Sequence, residues 1–277
     1  MRGMLACVPL IVLAWMTASP PPATPHPVRV ADVQWCRMPE GWGPGAALLV
    51  RFQVERQWHM YWMNPGDSGA PPVAKAALPA GWKLGQPIWP RPRVQQTDGE
   101  TVLVHEGTWG WILPVESETL GQAPDFPVQL DLSWMVCRQT CTVGKTSVQV
   151  PAPSGTLPAC PAEVGGAPFP LRPQDDDRVT VQEASLRLRC QARGRMSAQF
   201  IQATDPGVQL AQGTPAQAQV REGVATLDAP LRVRAQDADG HALAVRGLLL
   251  LGDRPGDPCI WIEHGIPVSG NARSSAP

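Results

Sequence analysis

The chain has 277 residues and a formal net charge of -1, which gives no electrostatic drive toward nucleic acid or an anionic membrane. Its 26 glycines and 32 prolines interrupt helices every few residues and exclude an α-rich fold. An apolar fraction of 43% is ample for a packed core, and the length suits one large or two ordinary domains.

Residues 1–23 are expected to be a signal peptide. Arg2 precedes the apolar run "MLACVPLIVLAWM" at 4–16, and small residues follow in "TASPPPATP". The run is too short to span a bilayer, and no other stretch approaches ~20 apolar residues. A lipoprotein reading at Cys7 fails because no apolar segment precedes it. The protein is therefore expected to be exported, with no membrane span of its own. Export gives the remaining six cysteines meaning: Cys36, Cys137, Cys141, Cys160, Cys190 and Cys259 form an even set, as expected where disulfides persist.

Strand-like segments follow in order over 28–152: "VRVADVQW", "AALLVRFQV", "WHMYWM", "TVLVHEG", "WGWILPVE", "VQLDLSWMV" and "TSVQVPA". Residues 153–177, rich in Pro and Gly, are expected to be a linker that ends in a solvated charge run, Asp175, Asp176 and Asp177. A second set occupies 178–268: "RVTVQEASLRLRCQA", "SAQFIQA", "AQVREGVATLDA", "LRVRAQ", "RGLLLLG" and "CIWIEHGI". Residues 269–277 are expected to be a flexible tail. The expected fold is all-β, two β-sandwiches in tandem. Nine of the eleven tryptophans lie between Trp35 and Trp134. That excess suggests indoles covering a surface feature or lining a groove, with an aromatic-heavy core as the alternative.

Cys137 and Cys141, in "WMVCRQTCTVG", admit several readings. A zinc site needs four ligands, usually as two close pairs, and no second pair or suitably spaced His exists, so no metal is assigned. A structural bridge over three residues gains little chain entropy. A redox couple needs an accessible thiolate, which Arg138 and Lys145 would favour; Arg138 points to Cys137 as the attacking sulfur. Cu(I) is a rival, since thiolates and thioethers favour it and His59, Met60, Met63 and Met135 are candidates to converge on Cys137. The competing reading of those methionines is core packing.

Three segments carry a resemblance: "QWHMYWMNPGDSGAPP" at 57–72, "LPAGWKLGQPIWPRPR" at 78–93 and "LSWMVCRQTCTVG" at 132–144. In this order they resemble the N-terminal periplasmic domain of the DsbD/ScsB thiol:disulfide interchange proteins, and the three-residue cysteine spacing resembles the ScsB-like branch. The resemblance implies immunoglobulin-like sandwiches, a periplasmic location and a redox pair at Cys137 and Cys141. That pair would pass electrons between a separate membrane relay and periplasmic thioredoxin-like proteins, with no bound cofactor. His59 and Tyr61 would neighbour the cysteines. Trp89, Pro90 and Arg91 would form a cap loop, with Trp89 shielding the pair. This chain departs from the family pattern in having Gln57 where Gly is usual, no spanning helices and no C-x-x-C motif.

For the other cysteines, two structural disulfides are expected, Cys190 with Cys259 inside the second sandwich and Cys36 with Cys160 tying the linker back. Cys190 and Cys259 as buried free thiols is the alternative. The reading taken forward is a periplasmic thiol:disulfide interchange protein. A Cu(I)-binding copper-tolerance protein and a non-catalytic protein-binding module are the alternatives.

Overall fold

The computed structural model describes residues 26–266 apart from 98, 120–121, 183, 206 and 234–242. The expected signal peptide and tail lie outside the described residues. Every regular element among them is a strand, and among the described residues no helix is long and apolar enough to cross a membrane.

The first unit contains β1 (Val28–Arg37), β2 (Ala46–Val54), β3 (His59–Gly66), β4 (Val73–Ala77), β5 (Trp82–Leu84), β6 (Arg93–Thr97), β7 (Glu100–His105), β8 (Thr108–Ser117), β9 (Val128–Cys137) and β10 (Cys141–Val150). One sheet runs β1-β2-β8-β5 and the other β10-β9-β3-β7-β6, with β4 also on β9. Burial follows the sequence pattern. β9 alternates apolar and polar and buries one face, while β2 is a near-continuous apolar run buried on both. Leu48, Val50 and Phe52 of β2 face the main core, and Ala47 and Leu49 face a smaller cluster with Ile88, Ile112 and Phe169.

That smaller cluster corrects the reading of 153–177 as a linker. Cys160 is disulfide-bonded to Cys36, and Arg37 bridges Ala159. A short hairpin of β11 (Glu163–Val164) and β12 (Ala167–Pro168) follows. Phe169 is buried. The segment is a strap laid over the outer face of β2, and this cover is why β2 can be apolar on both sides. The acids also differ from expectation: Asp175 and Asp176 are exposed, but Asp177 is buried and accepts from the backbone N–H groups of Gln174 and Gln191 at 2.8 and 2.9 Å.

The second unit comprises β13 (Arg178–Gln182), β14 (Ser185–Gln191), β15 (Ala198–Gln202), β16 (Val208–Leu210), β17 (Ala216–Arg221), β18 (Val224–Val233), β19 (Ala244–Leu251) and β20 (Cys259–Gly265). β17 pairs with β15 through Ala216–Ala218 and with β18 through Gln219–Arg221, so the sheet turns a corner there and folds over its own core.

The two units share apolar packing. Phe200, Leu249, Ile260 and Ile262 face the second core. Ile201, Leu248, Leu250, Cys259 and Trp261, on the same three strands β15, β19 and β20, join the cluster of the first unit. Leu171 of the strap bridges Ile260. Arg91, only 4% exposed, donates to the carbonyls of Leu251, Gly252 and Pro258.

This packing accounts for the tryptophans. Trp35, Trp62, Trp89, Trp109, Trp111 and Trp134 are buried. Phe52, Trp89, Trp109, Trp111 and Trp134 contact one another edge-on or stacked. Most of the excess indoles are core rather than groove.

Candidate functional site

Cys137 ends β9 and Cys141 begins β10, and the two face each other across the hairpin. They are joined by a disulfide. Arg138, Gln139 and Thr140 form the turn, closed by the Arg138 N–H donating to the Thr140 carbonyl at 3.2 Å. The two cysteines differ in burial: Cys137 is 4% exposed, whereas Cys141 is exposed. Arg138 turns its guanidinium over the Trp58 ring, 5.3 Å from the centroid, a cation–π contact. Cys141 is therefore the more exposed cysteine of the pair, whereas Arg138 had pointed to Cys137 as the attacking sulfur.

The wall behind Cys137 comes from β3 and β7. His59 is the direct cross-strand partner of Cys137. Tyr61 packs in one buried cluster with Cys137, Val102 and Val104, with Met135 against it. The His59 and Tyr61 rings meet edge to face at 5.3 Å, and the Tyr61 hydroxyl lies 3.4 Å from His59 Nε2. Burial lowers the His59 pKa below its ordinary value, and Glu106 pulls it partly back. Burial, then the Glu100 carboxylate, raises that of Tyr61. Both groups are thus neutral near pH 7.

The "NPGDSG" turn after β3 builds this wall. A Cβ on Gly69 would lie 2.2 Å from the Tyr61 ring, and one on Gly66 would lie 2.1 Å from the Thr101 carbonyl oxygen; both have positive φ. Asp67 Oδ2 accepts from the Thr101 N–H at 2.7 Å. Asn64 accepts from the Gly66 N–H and donates to the Gln202 carbonyl at 2.7 Å. The motif therefore holds Tyr61 in place and anchors β3 to the second unit.

Several expected residues fall elsewhere. Trp89 does not cover the cysteines. It is buried in the main core, stacked near His105 and Trp109 and edge-on to Trp111. The backbone of Ile88 pairs with Ile112, and the Arg91 N–H donates to Pro168, so the segment that includes Pro90 is tied down on both sides of it. The Arg91 side chain is committed to the second unit. Met60 is fully buried in the main core and Met63 packs against it. Only His59 and Met135 of the proposed copper ligands lie by Cys137, and no group of three or more His, Cys, Asp or Glu residues gathers among the described residues.

The expected Cys190–Cys259 bridge is absent, and both thiols are free and buried. Cys190 faces the second core, while Cys259 faces the shared one. The two thiols therefore belong to different apolar clusters and do not meet. Burial pushes both thiols up to about 12, so they pack as small apolar groups. Sequence reasoning also missed Trp58, which receives Arg138, and Glu106, which forms an ion pair with Arg93 at 2.8 Å.

Residues 42–153 match the family described as "Thiol:disulfide interchange protein DsbD, N-terminal". The fold is similar to that of the N-terminal periplasmic domain of ScsB from Proteus mirabilis. The TM-score is 0.51 and the identity 14%, with 84% of this chain and 92% of that one covered. The Neisseria meningitidis DsbD N-terminal domain in reduced form matches at 18% identity over 40% of this chain and 82% of that one, TM-score 0.29. No curated protein matches the chain in sequence. The paired strands that carry Cys137 and Cys141 thus lie within the segment that matches the DsbD N-terminal family model, in an immunoglobulin-like β fold.

Proposed function

We propose that the protein exchanges disulfides with partner proteins through the Cys137–Cys141 pair, in the periplasm. The observation that carries this reading is the asymmetry of the pair: Cys141 is exposed and Cys137 is buried against Tyr61. An exchange couple needs one sulfur that meets the partner and a second that closes the bond. In the reduced protein Cys141 attacks the partner disulfide, and a mixed disulfide forms through Cys141. Cys137 then attacks Cys141 and releases the reduced partner. The membrane relay and thioredoxin-like partners implied by the resemblance fit this scheme as electron source and acceptor, and no bound cofactor is needed.

The experiment is trapping. The Cys137→Ser variant, offered an oxidised thioredoxin-like protein, is expected to accumulate a covalent adduct through Cys141. Cys141→Ser is expected to accumulate none. Adducts through Cys137, or none from either variant, would contradict the scheme. Tight Cu(I) binding by the reduced pair, lost in Cys137→Ser without any exchange activity in the wild type, would favour the copper reading, for which His59 and Met135 beside Cys137 are the supporting contacts.

A further inference from the structure

We propose that His59 takes the proton from Cys137 as that thiol closes the disulfide, which makes it a catalytic residue of the exchange reaction. The proposal rests on the exchange reading above and adds a proton path to it.

The geometry begins with strand register. His59 and Cys137 are Cα partners on antiparallel β3 and β9. Directly opposed side chains share one face of the sheet with Cβ atoms about 4.5–5.5 Å apart. Tyr61, on the same face two residues on, links the two: its hydroxyl approaches His59 Nε2, and it shares a buried cluster with Cys137. The imidazole is therefore part of the wall around the Cys137 sulfur.

The chemistry requires a base there. A buried thiol holds its proton because burial disfavours the thiolate, and Cys137 has little contact with water. Of the charged and titratable groups around it, Tyr61 on β3 stays protonated. Arg138 of the β9–β10 turn lies over Trp58. Glu106, just after β7, forms an ion pair with Arg93 of β6. His59 remains as the one group whose ordinary pKa lies near neutrality. Its burial keeps it neutral and able to accept.

The Cys137 sulfur bonds to the Cys141 sulfur of the mixed disulfide while the bond from Cys141 to the partner sulfur breaks. The electron pair of that bond leaves with the partner as a thiolate. The Cys137 proton passes to His59 and from it to the departing partner thiolate. In reverse, His59 returns a proton to Cys137 when an electron donor opens the pair.

The test uses the full chain in a Cys7→Ser background, which removes the thiol outside the described fold, with the Cys137–Cys141 pair selectively reduced. Mixed with 5,5′-dithiobis(2-nitrobenzoate), the first thionitrobenzoate released marks the mixed disulfide at Cys141. The second release marks closure by Cys137. In the wild type the closing rate is expected to follow a titration below pH 6.5 and to level off above it. In His59→Gln the first release should persist and the second should slow by about 100-fold near pH 6, as loss of a general base does, with a rate still climbing into the thiol range. Equal closing rates and pH profiles, or a wild-type rate that climbs with pH to 8 without levelling, would overturn the role of His59 and leave exchange standing. Failure of the wild type to give a second release would overturn the exchange reading itself.

Discussion

Arg91 reaches from the first sandwich into the second, where its Nη2 donates to the Gly252 carbonyl at 2.6 Å. Nη1 donates to the carbonyls of Leu251 and Pro258. Burial pulls the guanidinium pKa down, and the Asp257 and Asp253 carboxylates offset part of that pull. The charge is thus solvated by backbone carbonyls of the other unit, and the two sandwiches are expected to unfold together. Arg91→Ala should lower stability by about 3 kcal/mol, the scale of losing buried charge-assisted bonds. Arg91→Lys should recover only part, since an ammonium cannot fork across three carbonyls. Urea unfolding followed by tryptophan fluorescence measures both, and unchanged midpoints would contradict the clamp.

His105 is fully buried, and its ring stacks on Trp109 at 4.2 Å and 11°. Burial pushes its pKa down to about 3. The unfolded chain binds a proton at this residue below its ordinary value of about 6.5, whereas the folded chain refuses it until about 3. Stability from this group is therefore full above pH 6.5 and falls as pH drops through that window, by up to ~1.4 kcal/mol per pH unit. The difference in unfolding free energy between wild type and His105→Gln should change with this slope between pH 6.5 and 4. A pH-independent difference would contradict it.

Gly69 leaves room for the Tyr61 ring. Gly69→Ala must displace that ring or twist the turn, and overpacking of this kind costs about 1–3 kcal/mol. Because Tyr61 also packs on Cys137, the variant should both lose stability and alkylate faster at Cys137 when reduced. Thermal unfolding and thiol-specific mass labelling read the two effects. A variant with wild-type labelling would separate the turn from the site.

Cys190 and Cys259 should resist alkylation in the folded protein at pH 8 and react fully in denaturant, because burial holds both as thiols. Peptide mapping should find Cys36 bonded to Cys160 and no bond at 190 or 259. A Cys190–Cys259 bridge would require the two faces of the second unit to be arranged differently.

The strands were largely legible because period-two alternation and turn residues are local signals. β4, "VAKAA", was not: alanine and lysine have little strand preference. It forms because β3 pairs with β9 only at His59 and Met60, leaving Ser133 to Gln129 of β9 free for Val73 to Ala77. The cysteine pair was readable from its spacing, and its β3 neighbours His59 and Tyr61 only through the family resemblance. The cap at Trp89 was not. Prolines 90 and 92 do keep the segment out of a strand. The carbonyls that capture Arg91, however, lie about 160 residues away in sequence. The fate of Cys259 depended in the same way on which face of β20 meets the first unit, which no local pattern encodes.

Cys137 and Cys141 are proposed as a reversible couple, whereas Cys36 and Cys160 form a fixed bridge. Equilibration in glutathione redox buffers, followed by acid quench, alkylation and mass mapping, tests it most directly. The short loop and exposed Cys141 predict a potential more oxidising than about -300 mV. Cys137 and Cys141 should become alkylated together within the glutathione range while the Cys36–Cys160 bond stays closed. A Cys137–Cys141 bond that remains oxidised across that whole range would contradict the account.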